Sequence, residues 1–69
     1  MKTLDDYEYD YAERMAIITE SGIKEEIAHP EATYQVRRDM VADGMDVGKA
    51  NIKVMGIRKR LIGINKQGE

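Results

Sequence analysis

Apolar residues in the first twenty positions recur at Leu4, Tyr7, Tyr11, Met15 and Ile18, at spacings of three, four, four and three. At about 100° per residue these five fall within an arc of roughly 80°, the pattern of an amphipathic helix. The same segment contains YEYDY (residues 7–11), where tyrosine alternates with acid as it would on a half-buried strand. The alternation explains only those five residues, whereas the helical spacing runs well beyond them. A helix is therefore predicted over residues 4–20. Thr3 stands at its start with Asp6 three residues on, the spacing of a capping box. Asp5 and Asp6 occupy the first turn, where the helix dipole favours negative charge. Gly22, after Ser21, is the predicted stop.

The next segment, SGIKEEIAHP, places Ile23 and Ile27 four apart and predicts a short helical turn over 23–28. Pro30 disfavours helical backbone at His29 and is comfortable as the first residue of a new helix. A second helix is accordingly predicted over 30–43. Its inner stripe is Ala32, Val36 and Met40; Tyr34 and Val41 lie on another side, and Gly44 ends it.

The third segment admits two readings. As a helix over 46–62 capped by Asp46, its inner face is Val47, Ala50, Val54, Ile57, Leu61 and Ile64, within an arc of about 100°. Against this stand Gly48, Gly56 and Gly63, each costing about 1 kcal/mol in a helix interior, and a run of β-branched residues. The alternative is an α+β fold with a hairpin in 51–65, turning near Arg58-Lys59. Its alternation is poor, because Ile52 and Val54 share a side with Gly56. The favoured fold class is all-α: a small bundle of about three helices plus the extra turn, forming a single domain over 1–69 with the last few residues frayed.

Size and composition narrow the chemistry. A chain of 69 residues buries only about 60% of the surface its unfolded form exposes, so regular packing or self-association has to supply stability. There is no cysteine and one histidine, which removes disulfides, thiolate metal sites and His-rich metal sites. No apolar run approaches the roughly 20 residues a membrane helix needs. The acid-rich start is the reverse of a secretory signal. The expected location is cytoplasmic, with no membrane partner.

The net charge of −2 conceals a division. Residues 1–35 hold nine acids and three bases; residues 36–69 hold four acids and eight bases. Such a split suits either a nucleic-acid surface on the basic side or pairing between the halves, within one chain or between chains.

No catalytic constellation is legible. GMDVGKA (44–50) has three residues between its glycines and Ala50 after the lysine. A phosphate-binding loop needs four, followed by Ser or Thr. The acid clusters lack the spacing of a calcium loop. His29 has acids nearby but no nucleophile to activate. No enzyme activity, metal, cofactor or small-molecule substrate is expected.

Two functions remain. The first is a protein-interaction or regulatory module, an adaptor or inhibitor, binding a protein partner or itself as a homodimer. Tyr9, Tyr34, Val41, Ile52, Met55 and Ile62 fall outside the inner stripes and form the candidate interface. Five methionines in so short a chain add adaptable contact surface. The second is a regulator binding double-stranded DNA, in outline a helix-turn-helix with a basic third helix. Lys49, Lys53 and Arg60 share one flank of that helix. Lys59, Arg58, Arg37 and Arg38 add positive charge, and Asn51 is placed for base edges.

Overall fold

The computed structural model describes residues 2–67, with side chains through residue 63. It contains three helices: α1 (Leu4–Glu20), α2 (Glu25–Ala42) and α3 (Val47–Gln67). The all-α bundle is the observed fold, and residues 51–65 are helical throughout, so the hairpin does not form. A strand there would have pointed Val54 and Ile57 to opposite faces; the helix buries both.

Local signals account for most of the helix ends. Thr3 Oγ1 accepts from the Asp6 backbone N–H at 3.3 Å, and the Asp6 carboxylate accepts from the Thr3 N–H at 2.9 Å. This completes the capping box. The bond from the Thr3 backbone holds the Asp6 carboxyl below its ordinary pKa. Asp46 caps α3, its carboxylate accepting from the Lys49 N–H at 3.2 Å. At the end of α2, Gly44 has φ +102°, a left-handed conformation that costs an L-residue about 1 kcal/mol or more. The Gly44 N–H donates to Val41 and the Met45 N–H to Met40, both at 3.0 Å. These are the paired bonds of a Schellman stop. Met45 then packs back onto the core beside Met40.

Two boundaries differ from the sequence prediction. The turn at 23–28 and the helix at 30–43 are a single helix, α2, with Pro30 inside it. Pro30 removes one hydrogen bond, the one its N–H would have donated to the Glu26 carbonyl. It stands just beyond the first turn, so only the first residues of α2 depend on continuity through it. Those residues include Ala28 and His29, both buried, and their burial holds the helix together across the proline. At the other end, α3 continues past residue 62, its predicted end, to Gln67. Gly68 and Glu69 lie outside the described residues.

The core is small: Tyr7, Tyr11 and Met15 from α1, Ala28, Ala32, Val36 and Met40 from α2, and Ala50, Val54 and Ile57 from α3. Ile18, Met45 and Leu61 pack at its margin. Three fully buried alanines bring α2 close to its neighbours, and α2 contacts both α1 and α3 more extensively than those two contact each other. Leu4 and Val47, predicted to face inward, are exposed. Each sits in the first turn of its helix. The side chain of Ile64 lies outside the described residues.

Polar ties cross the rim of the bundle. Arg14 donates to Asp39 and to Gln35, each at 2.6 Å, joining α1 to α2. Arg60 donates to Glu8 at 2.8 Å, joining α3 to α1. The Tyr7 hydroxyl donates to Asp43 at 2.5 Å. That bond, together with burial, pushes the Tyr7 pKa up to about 12. No helix among the described residues is long and apolar enough to cross a membrane.

Candidate interaction surface

The chemical groups with the most potential for reactivity are used structurally. Tyr11 is fully buried, and its hydroxyl meets two α2 side chains: His29 Nδ1 at 2.8 Å and Thr33 Oγ1 at 3.2 Å. The phenol carries a single proton, so the direction of its bond to His29 depends on which ring nitrogen is protonated, and either hydroxyl can donate between Tyr11 and Thr33. The His29 carbonyl lies 3.3 Å from the same phenol. Among the described residues no buried side-chain polar atom lacks a partner.

Burial holds the His29 pKa below its ordinary value; Arg58 adds to the depression and Glu25 opposes it. Folding therefore favours neutral His29. Its contribution to stability is fully present above the unfolded-state value of 6.5 and is lost as pH falls from there through the lower folded value. The slope is at most about 1.4 kcal/mol per pH unit for one proton. The thermal midpoint is expected to fall between pH 7.5 and 5.5, and His29→Gln to flatten that fall. An unchanged pH dependence in the variant would assign the effect to other groups.

The sequence-predicted interface residues divide among the three helices. Tyr9 is 71% exposed on α1, amid acids and apart from the rest. Tyr34 and Val41 are exposed on the outer side of α2. Ile52, at 74% exposure, and Met55 lie on the outer side of α3, and Ile62 is half-buried. Arg37 and Asn51 bridge the seam between α2 and α3. There Arg37 donates to Asn51 at 3.2 Å and lies over the Tyr34 ring. Met55 is one turn beyond Asn51 on the same face of α3.

The continuous α2 adds residues that the sequence prediction left out. With Pro30 inside the helix, Ile27, Tyr34 and Val41 are seven residues apart on one helix. Together with Pro30 they fall within about 60° of arc, roughly opposite the buried side. Ile27 is 61% exposed. At the N-terminal end of α2 this stripe opens into a cleft of about 590 Å³ lined by Ile17, Ile18, Ile23, Ile27 and Pro30, with Ser21 and Glu31 beside them. The signal was present as the heptad spacing 27–34–41, which is visible only when the helix is read through the proline.

The basic residues occupy two flanks of α3. Lys49, Lys53 and Arg60 lie on the α1 side, where Arg60 is paired with Glu8. Lys49 and Lys53 line a recess with Tyr7, Asp43 and Asp46. Asn51 lies on the α2 side with Arg37, and Arg58 is on the same flank, with its charge felt at His29. Arg38 is on the outer side of α2, over the Tyr34 ring at 5.8 Å. Lys59 lies between the flanks, near Ile52 and Met55 around the helix. Among the described residues no cluster of three or more His, Asp or Glu side chains is arranged to hold a metal ion.

No family model, curated protein or solved structure matches the chain.

Proposed function

We propose that this chain is a non-enzymatic protein-binding module, an adaptor or inhibitor, acting through the outer apolar face that α2 and α3 share. One observation carries the reading. Among the described residues ten large apolar side chains are exposed, as many as the apolar residues that make up the core. Isolated exposed apolar groups are ordinary. Here Ile27, Tyr34 and Val41 align on one helix, and Arg37 beside the Tyr34 ring reaches across the α2–α3 seam to Asn51, one turn before Met55. Aligned apolar surface of this kind marks association sites. The two arginines beside the Tyr34 ring fit the composition of interface centres, which favour Tyr, Met and Arg.

The test is a measurement of mass in solution together with capture of partners on the immobilised full chain. The expected result is either a mass above that of the monomer or one stoichiometric protein partner. Either is lost in Tyr34→Asp and Met55→Asp variants whose helix content is unchanged. A strict monomer that retains no partner overturns the proposal.

Duplex DNA is the second reading, favoured by one feature: Lys49 and Lys53 stay exposed with no ion-pair partner among the described residues. Glu8, beside Arg60 on that flank, opposes a phosphate backbone there. Binding to a duplex that falls steeply with salt, and less steeply in Lys49→Ala and Lys53→Ala variants, would support it. A low-salt titration without binding removes it.

A further inference from the structure

Building on the protein-binding reading above, we infer that the occupant of the α2 face is a second copy of this chain, packed antiparallel about a two-fold axis beside Tyr34. The apolar stripe is symmetric about that residue: Ile27 lies seven positions before it and Val41 seven after. A two-fold axis there sets Ile27 of each copy against Val41 of the other and brings the two Tyr34 rings together.

The flanking charges fit the same operation. Glu31 and Arg38 are seven apart and so share one flank of α2. Glu31 lies three residues before Tyr34 and Arg38 four after it. Antiparallel pairing across a two-fold keeps a flank on its own side and reverses its direction. It therefore brings Glu31 of each copy to Arg38 of the other, twice in the dimer. A parallel two-fold pairing would instead carry this flank of the two copies to opposite sides of the helix pair, so that neither Glu31 nor Arg38 would meet its counterpart.

Both groups are free to make this contact. Glu31 accepts only from the Gln35 side chain, at 2.9 Å, and Arg38 lies over the Tyr34 ring. Neither has an ion pair within its own chain among the described residues. The 18 residues of α2 span about 27 Å. One helix pair of that length falls at or below the lower end of stable interfaces, roughly 1,200 Å². The dimer is accordingly weak and concentration-dependent.

Sedimentation of the full chain at rising concentration tests the inference with two charge reversals, Glu31→Arg and Arg38→Glu. Wild type is expected to move from monomer to dimer. Each variant alone is expected to associate about tenfold more weakly or worse, because it opposes like charges in both pairs. An equimolar mixture of the two is expected to recover wild-type association as a heterodimer in which every pair is again opposite. The double variant Glu31→Arg/Arg38→Glu should recover it as well, which also shows that neither position is needed for folding.

The absence of cysteine allows a second readout. Tyr34→Cys should form a disulfide-linked dimer faster than the Tyr9→Cys control. Single variants that associate like wild type, or a mixture that fails to recover, overturn the inference. A dimer lost in Met55→Asp but indifferent to the α2 reversals also overturns it while leaving the protein-binding reading intact. A monomeric wild type whose retained partner is lost in Tyr34→Asp does the same. A monomer without any partner overturns both.

Discussion

Tyr11→Ala is expected to remove a third or more of the domain's stability, about 3–5 kcal/mol. A chain of this length has a total stability of about 3–10 kcal/mol. Removing a large buried aromatic side chain costs about 3–5 kcal/mol. Tyr11 is the largest of the fully buried side chains, and its ring lies 5.8 Å from the His29 ring. The loss would also remove a bonding partner from each of His29 and Thr33. Tyr11→Phe separates the two contributions. It keeps the ring and deletes only the hydroxyl, leaving Nδ1 of His29 and the Thr33 hydroxyl to find other partners in an interior with little water. That alone is expected to cost about 1–3 kcal/mol. Urea unfolding followed by circular dichroism measures both. A Tyr11→Phe variant as stable as wild type would mean the buried hydroxyl network contributes nothing net.

The Tyr11 network also shows what periodicity can and cannot reveal. The spacing 4–7–11–15–18 placed Tyr11 on the inner face of α1, and Thr3, Gly22, Gly44 and Asp46 marked helix ends where the structure has them. These are local signals: a cap, a left-handed glycine and a repeat of apolar residues act within a few positions along the chain. The partners of Tyr11 lie 18 and 22 residues away, and nothing in the spacing of α1 identifies them. Leu4 and Val47 followed the repeat and still face solvent. Burial requires a facing helix at that height as well as the right angle around the axis.

The basic residues teach the same lesson. Lys49, Lys53 and Arg60 do share a flank, as their spacing implies. The structure adds that this flank turns toward α1, so that Arg60 is taken up by Glu8, 52 positions away in sequence. The split of charge between the two halves of the chain is thus partly spent in contacts inside the bundle. The six candidate interface residues were legible as departures from the inner stripes. The arrangement of Tyr34 and Val41 in line with Ile27 was not, because the helix was divided at Pro30.

Pro30→Ala is expected to stabilise the protein, and it tests the feature on which the α2 face depends. Proline inside a helix costs about 3 kcal/mol relative to alanine when it sits deep in the interior. Pro30 is the sixth residue of α2, and the helical ladder already begins two positions earlier with the Ala28 N–H on the Lys24 carbonyl, so a gain of about 1–3 kcal/mol is expected. Alanine restores the bond to the Glu26 carbonyl and relieves the crowding of that carbonyl by the proline ring. Pro30 is exposed, so the change opens no cavity in the core. The opposing effect is that proline restricts the unfolded chain, which offsets part of the gain by about 0.4–1 kcal/mol. The net change remains positive if α2 is continuous from Glu25. If 23–28 were instead a separate turn with Pro30 starting a new helix, the proline would be well placed there and alanine would destabilise. The sign of the change in urea midpoint therefore distinguishes the two geometries, and amide exchange over residues 26–29 should slow in the variant only for the continuous helix. A loss of stability would separate Ile27 from the register of Tyr34 and Val41, and the seven-residue stripe would cease to exist as one surface.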